Sequence, residues 1–174
     1  MPRLLSLIGY PAAGKSTYAL ELESEGFTVI SGDRTIRSVM EREGLHSMTE
    51  CYAVHRDEIN ETMDAQLREA IQRGDNIVFD VMNTSVKRRS MHLQMAKQLA
   101  DDTYYYEAVV IHPPEEEEHA ERLVRRLIRG EQDRAIDGFF QVKLESEYEP
   151  PTLQEGYDEI RYVGTPPKQP LMHM

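Results

Sequence analysis

The segment Gly9-Tyr10-Pro11-Ala12-Ala13-Gly14-Lys15-Ser16 constrains this chain more than any other, because of what flanks it. Leu4, Leu5, Leu7 and Ile8 before it read as a short buried strand, and Ser16 to Glu25 after it as a helix closed by Gly26. Glycines at both ends of such a loop let successive backbone N–H groups turn inward around phosphate oxygens. The lysine then reaches the β- and γ-phosphates, and the serine hydroxyl ligates Mg²⁺. Thr17 follows in the first helical turn, where the dipole also favours an anion. The strand–loop–helix setting separates the motif from a chance match. Gly9, Pro11, Ala12, Ala13, Gly14, Lys15, Ser16 and Thr17 are therefore the expected contacts of a nucleoside triphosphate, ATP or another.

The rest of the chain alternates in the same way. Phe27 to Ile30 reads as a second strand, 33–43 as a helix stopping at Gly44, and Ser47 with Glu50 as the start of a long helix reaching Arg73-Gly74. Asn76 to Asp80 is a third strand, Ser85 to Ala100 a helix, and Tyr105 to Ile111 a fourth strand. Pro113-Pro114 opens a helix whose first turn holds Glu115 to Glu118, a further helix covers about 137–147, and Glu159 to Val163 is a fifth strand. Strands alternating with helices require right-handed crossovers and a parallel sheet. The expectation is an α/β fold of the P-loop NTPase class: one domain over 1–174, with five parallel strands, helices on both faces, a helical lid at about 113–135 and a proline-rich tail at 164–174.

Composition narrows the class further. The 174 residues carry 20 Lys plus Arg against 31 Asp plus Glu, a formal charge of −11, which argues against sequence-blind wrapping of duplex nucleic acid. No apolar run approaches the ~20 residues of a membrane span. The N-terminus lacks a signal-peptide pattern, and the single cysteine, Cys51, allows no internal disulfide. A cytoplasmic location is expected, the host cytoplasm for a phage-encoded chain. The charge is uneven, since 143–160 hold one Lys against six acids while 122–129 hold four arginines and no acid.

Asp80 ends the third strand, where an acid beside the loop orients Mg²⁺; capping of the next turn is the plainer alternative. Asp33 follows the second strand, at the sheet end where ligands collect, and is placed to take the proton of an acceptor alcohol. Arg37, four residues on, would steady that acceptor; a helix N-cap Asp paired with Arg37 explains the same spacing. Arg122, Arg125, Arg126 and Arg129 share one helical face and Leu123, Val124, Leu127 and Ile128 the other. Glu118–Arg122 and Glu121–Arg125 pairs account for two of the arginines as a solvated face, which leaves Arg126 and Arg129 without helical partners; Arg129, beside Gly130, is the better lid candidate. The histidines show no metal-ligand spacing, and Met82, Met91 and Met95 read as core.

Together these residues resemble the kinase domain of bacteriophage polynucleotide 5′-hydroxyl kinase and its P-loop kinase relatives. The resemblance runs from Leu4 to about Lys168. It rests on the loop with its proline at Pro11, on Asp33, and on Asp80-Val-Met-Asn83 with Lys87-Arg88-Arg89. Arg125, Arg129-Gly130 and the closing segment Glu149-Pro-Pro-Thr-Leu-Gln-Glu155-Gly-Tyr-Asp158 add to it. Two positions depart from the pattern: the arginine after the base comes fourth rather than third, and Met82 stands for a threonine.

The resemblance implies ATP- and Mg²⁺-dependent transfer of the γ-phosphate to a nucleic-acid hydroxyl, foremost the 5′-OH of a DNA or RNA end. Lys15, Asp33 and Arg129 would be catalytic. Arg125 and Arg129 would contact the nucleotide, Arg34, Arg37, Asp80 and Asn83 the acceptor, and Ser16 and Asp80 the metal. A base hydroxymethyl group (5-hydroxymethyluracil) in modified phage DNA, or a small-molecule alcohol, is the alternative acceptor. A nucleotide-dependent regulatory binding module is the alternative of another class.

Overall fold

The computed structural model describes residues 1–129 and 146–164. Five strands, β1 (Arg3–Ile8), β2 (Thr28–Ser31), β3 (Ile77–Asp80), β4 (Tyr105–Ile111) and β5 (Glu159–Val163), pair in parallel in the order β2-β3-β1-β4-β5. The described helices are α1 (Lys15–Ser24), α2 (Gly32–Glu43), α3 (Met48–Arg73), α4 (Val86–Ala100) and α5 (Glu116–Ile128), with 3₁₀ turns at Asp101–Thr103 and Leu153–Glu155. The α/β architecture expected from the alternating pattern is present. Positions 137–145 of the expected helix and the tail beyond 164 lie outside the described residues, as do lid positions 130–135.

The central strands are buried on both faces, as near-continuous apolar runs require in a parallel sheet. On one face Leu4, Ile8, Phe79, Tyr106 and Val110 meet Ile59, Met63 and Leu67 of α3 and Leu93 and Ala96 of α4. On the other, Leu5, Leu7, Val78 and Val109 meet Ala19 and Leu22 of α1. The chain leaves β1 toward β2 and β3 on one side and later builds β4 and β5 on the other. The strand order thus reverses at β1, and a crevice forms at its carboxyl end.

Helix boundaries follow from local chemistry. Gly44 and Gly74 cap α2 and α3 in the left-handed region, at φ 67° and 72°. The Ser47 hydroxyl accepts the Glu50 N–H at 3.2 Å, at the start of α3 where the capping-box spacing placed it. The long helix α3 is kinked at His55, whose φ of −109° and ψ of 18° leave helical space.

Two arginine–carboxylate arrangements, each built on a buried carboxylate, hold the periphery. Glu107 of β4 sits between Arg3 (2.5 Å) and Arg161 (3.0 Å); burial pushes its carboxyl up, but the two guanidiniums outweigh that and hold it below the usual range. Arg89 of α4, with 0% side-chain exposure, forks onto Glu155 at 2.7 and 2.9 Å. It also donates to the carbonyls of Asn83 and Glu149. One guanidinium therefore fastens the closing segment to the loop after β3.

Candidate active site

The loop between β1 and α1 has the shape its sequence demands. A Cβ at Gly9 would lie 2.7 Å from the Ile111 carbonyl oxygen, so only glycine lets β4 pass that close. Gly14, at φ 110°, precedes α1 in a conformation that side chains rarely adopt. Ala12 also has a left-handed φ, 60°, which costs about 1–2 kcal/mol and is maintained by the packing of Leu123 from α5 against it. Lys15 Nζ donates to the carbonyls of Gly9 (2.8 Å) and Tyr10 (2.9 Å), leaving one of its three N–H donors for a phosphate oxygen. Burial lowers the Lys15 ammonium to about 8, while Asp80 and Asp33 pull the other way and Arg126 adds to the lowering.

Asp80 ends β3 beside this loop, and Ser16 Oγ donates to its Oδ2 at 3.0 Å. Burial raises the Asp80 carboxyl, with Lys15 and the Ser16 hydroxyl opposing. A hydroxyl and a carboxylate converging within hydrogen-bond distance form a hard-oxygen pair, the donor chemistry that suits Mg²⁺ completed by phosphate oxygens and water. Among the described residues no cluster of three or more His, Cys, Asp and Glu could hold a metal on protein ligands alone.

Lys15, Ser16, Asp33 and Asp80 all line one cleft of about 970 Å³. Ser31, not Asp33, caps α2, its side chain accepting the Arg34 N–H at 3.4 Å; Asp33 stands in the first helical turn. The capping explanation of Asp33 thus belongs to Ser31. The far half of the cleft is walled by Ile36 from α2, by Met48, Tyr52, Ile59 and Met63 from α3, and by Met82 and Met91 from the β3–α4 loop and α4. Met91 was expected in the core and is 59% exposed; Met82 is half-buried in the same wall, and Met95 alone packs partly against the core.

Other expected contacts stand elsewhere. Arg34 is exposed and forks onto Glu23 of α1 at 2.7 and 2.8 Å, an ion pair that turns it away from the cleft lining. Arg37 is exposed on α2 and is also absent from that lining. Asn83 does line the cleft, but its amide donates to the Leu7 carbonyl at 3.1 Å and its φ is 47°, so it ties the loop to β1. Arg122 and Arg125 make the expected pairs with Glu118 (2.6 Å) and Glu121 (3.1 Å). Arg129 is exposed at the end of α5, whereas Arg126 lines the cleft.

A histidine outside the arginine period orients α5. His119 Nε2 donates to the Pro11 carbonyl at 2.7 Å, Arg122 reaches within 3.8 Å of a Cβ built on Gly14, and Leu123 packs on Ala12. His119, Arg122 and Arg126, at i, i+3 and i+7, form the stripe facing the loop. The arginine period alone concealed it because it counts only cations. On the other face Val124, Leu127 and Ile128 are exposed.

The comparisons agree with this geometry. The sequence profile described as an AAA domain matches residues 4–139. None of the curated proteins matches the sequence. A candidate kinase from Chloroflexus aurantiacus j-10-fl superposes with a TM-score of 0.69 at 18% identity, over 93% of this chain and 84% of that one. A fungal RNA kinase gives 0.58 at 16% identity over 94% and 74%. Kti12 of Chaetomium thermophilum, solved in complex with ADP-AlF3, gives 0.55 at 19% identity over 92% and 88%. At these identities the likeness is one of fold alone.

Proposed function

The chain belongs to the AAA domain family, and from that premise we propose that it is an ATP-dependent phosphotransferase acting on an alcohol, with the 5′-hydroxyl of a DNA or RNA end as acceptor. The observation that carries the reading is the single cleft: Lys15, Ser16 and Asp80 at its phosphate end share it with Asp33 and with a second half walled by α3 and α4. A regulatory module that only binds nucleotide needs no such second half.

In this reading the loop amides and Lys15 hold the triphosphate. Ser16 and Asp80 would hold Mg²⁺, which when bound would supply positive charge to the phosphates. The acceptor oxygen attacks the γ-phosphorus as the bond to the bridging oxygen of ADP breaks, and the alcohol proton passes to an Asp33 carboxylate oxygen. Arg126 supplies positive charge to the transferring group from α5. Lys87 and Arg88, which also line the cleft, supply cations for a nucleic-acid backbone.

One observation favours a second acceptor, a small-molecule alcohol or a base hydroxymethyl group. The far half is lined by Met48, Tyr52, Ile59, Met63 and Met91, on a chain of net charge −11. A transfer assay with γ-labelled ATP across a 5′-hydroxyl oligonucleotide, hydroxymethyluracil DNA and small alcohols decides between them. Label on the oligonucleotide end is the expected result. ATP hydrolysis with no labelled acceptor would overturn the phosphotransferase reading in favour of a binding module.

A further inference from the structure

Beyond Asp33 the cleft runs between α3 and α4, where two polar side chains that phosphoryl transfer does not employ stand in its wall. Asp64 follows Met63 on α3 and His92 follows Met91 on α4, and all four line the cleft. Asp64 Oδ1 and His92 Nδ1 are 3.9 Å apart, too far for a hydrogen bond but close enough for the carboxylate to bias the imidazole. The ring is backed by Phe79 of β3, with centroids 4.1 Å apart and planes tilted by 36°. Nδ1 is sealed from solvent and has no hydrogen-bond partner among the described residues, while the side chain as a whole is 19% exposed. What His92 shows to the cleft is therefore its other edge.

The charge state follows from the surroundings. Burial pushes His92 below its ordinary value, with Asp64 opposing, so the ring is neutral at pH 7 to 8. A neutral imidazole has one N–H, which the carboxylate favours at Nδ1; Nε2 then keeps its lone pair. Asp64 and His92 thus offer two acceptors and no donor, and Asn60, one turn earlier on α3, adds an amide that serves either sense. Met63 and Met91 bring polarisable thioethers from the two helices, the contacts that unsaturated rings prefer.

We propose that Asp64 and His92 form a recognition subsite for the acceptor, reading the hydrogen-bond-donating edge of a planar ring, an exocyclic amino group or ring N–H, held between Met63 and Met91. The ring is carried by the alcohol that Asp33 deprotonates; that part rests on the phosphotransferase reading, and the subsite itself does not. For a nucleic-acid end the ring is the first base, and adenine, cytosine and guanine carry the amino group.

The test uses the full chain with Mg·ADP and ¹⁵N-labelled histidine. Adenosine, cytidine and purine riboside, which lacks the amino group, are titrated while the His92 resonances are followed by NMR. Expected are a neutral Nδ1–H tautomer, a His92 shift with adenosine or cytidine, and binding of purine riboside weaker by about tenfold or more, the loss of one hydrogen bond to a charged acceptor. Asp64→Asn should erase that preference, and in transfer assays it should raise KM for adenine-first ends more than it lowers kcat. Equal binding of adenosine and purine riboside, no binding of any nucleoside, or an unmoved His92 would overturn the subsite, and these readouts on the wild-type chain need no variant to fold. Discriminating nucleoside binding without phosphorylation of oligonucleotide ends would support the subsite and remove the nucleic-acid end as acceptor. Phosphorylated ends with no first-base preference, unchanged by Asp64→Asn, would do the reverse.

Discussion

Ser16 Oγ donates to Asp80 Oδ2 across 3.0 Å, joining the first turn of α1 to the carboxyl end of β3. The two residues lie 64 positions apart and meet because β1 and β3 are neighbours, with Ser6 in register with Phe79. The sheet order, more than either residue's own preference, makes them one site.

Removing either partner of the phosphate site has a defined cost. Lys15→Ala deletes the ammonium and Ser16→Ala the hydroxyl beside Asp80, so each should lower phosphoryl transfer by about 10²-fold or more. Steady-state kinetics at saturating Mg²⁺ measures this, and chelating Mg²⁺ from the wild type should lower transfer as well. Retention of most activity by either variant contradicts the assignment.

The depressed Lys15 ammonium predicts a pH dependence of nucleotide affinity. Burial brings its value to about 8 in the free chain, and a triphosphate beside it raises that value again. The charged form binds better, so affinity is greatest below pH 8 and falls as pH rises past it, with proton uptake on binding in that window. Calorimetry at pH 7.5 to 9.5 in buffers of different ionisation enthalpy should record both. Flat affinity with no uptake contradicts it.

The two arginines at the end of α5 should separate. Arg126 lines the cleft and Arg129 stands exposed beyond it. If Arg126 is the cation that meets the transferring phosphoryl group, Arg126→Ala should lower kcat by about 10³-fold while Arg129→Ala stays within tenfold. The reverse order would restore Arg129 as the lid arginine.

Arg89 should matter for stability rather than chemistry. Its guanidinium is buried against Glu155, so Arg89→Ala strands a carboxylate and two carbonyls and should destabilise the chain by about 3–5 kcal/mol in urea unfolding. A loss under 1 kcal/mol would mean the closing segment is held by other contacts.

The strands and helices were legible because each carries its own period and its own stop, such as Gly44, Gly74 or the prolines before α5. The phosphate loop was legible because its chemistry is contiguous. The rest of the cleft wall was not, since Tyr52 and Asp64 come from α3 and His92 from α4, and only the packing of the two helices assembles them. Arg34, which the resemblance set beside the acceptor, pairs instead with Glu23 on another helix, a partner that no local spacing records. His119 was passed over because a single histidine contacting a backbone carbonyl leaves no sequence pattern.

Asp33, in the proposed reaction, takes the acceptor's proton, and Asp33→Asn isolates that role. Ser31 caps α2, so the variant keeps the helix and the shape of the cleft but cannot accept the proton. Single-turnover transfer of labelled γ-phosphate to a 5′-hydroxyl oligonucleotide should fall by at least about 10²-fold while calorimetry shows near-normal ATP·Mg²⁺ affinity. Transfer at the wild-type rate by the folded variant would contradict the account.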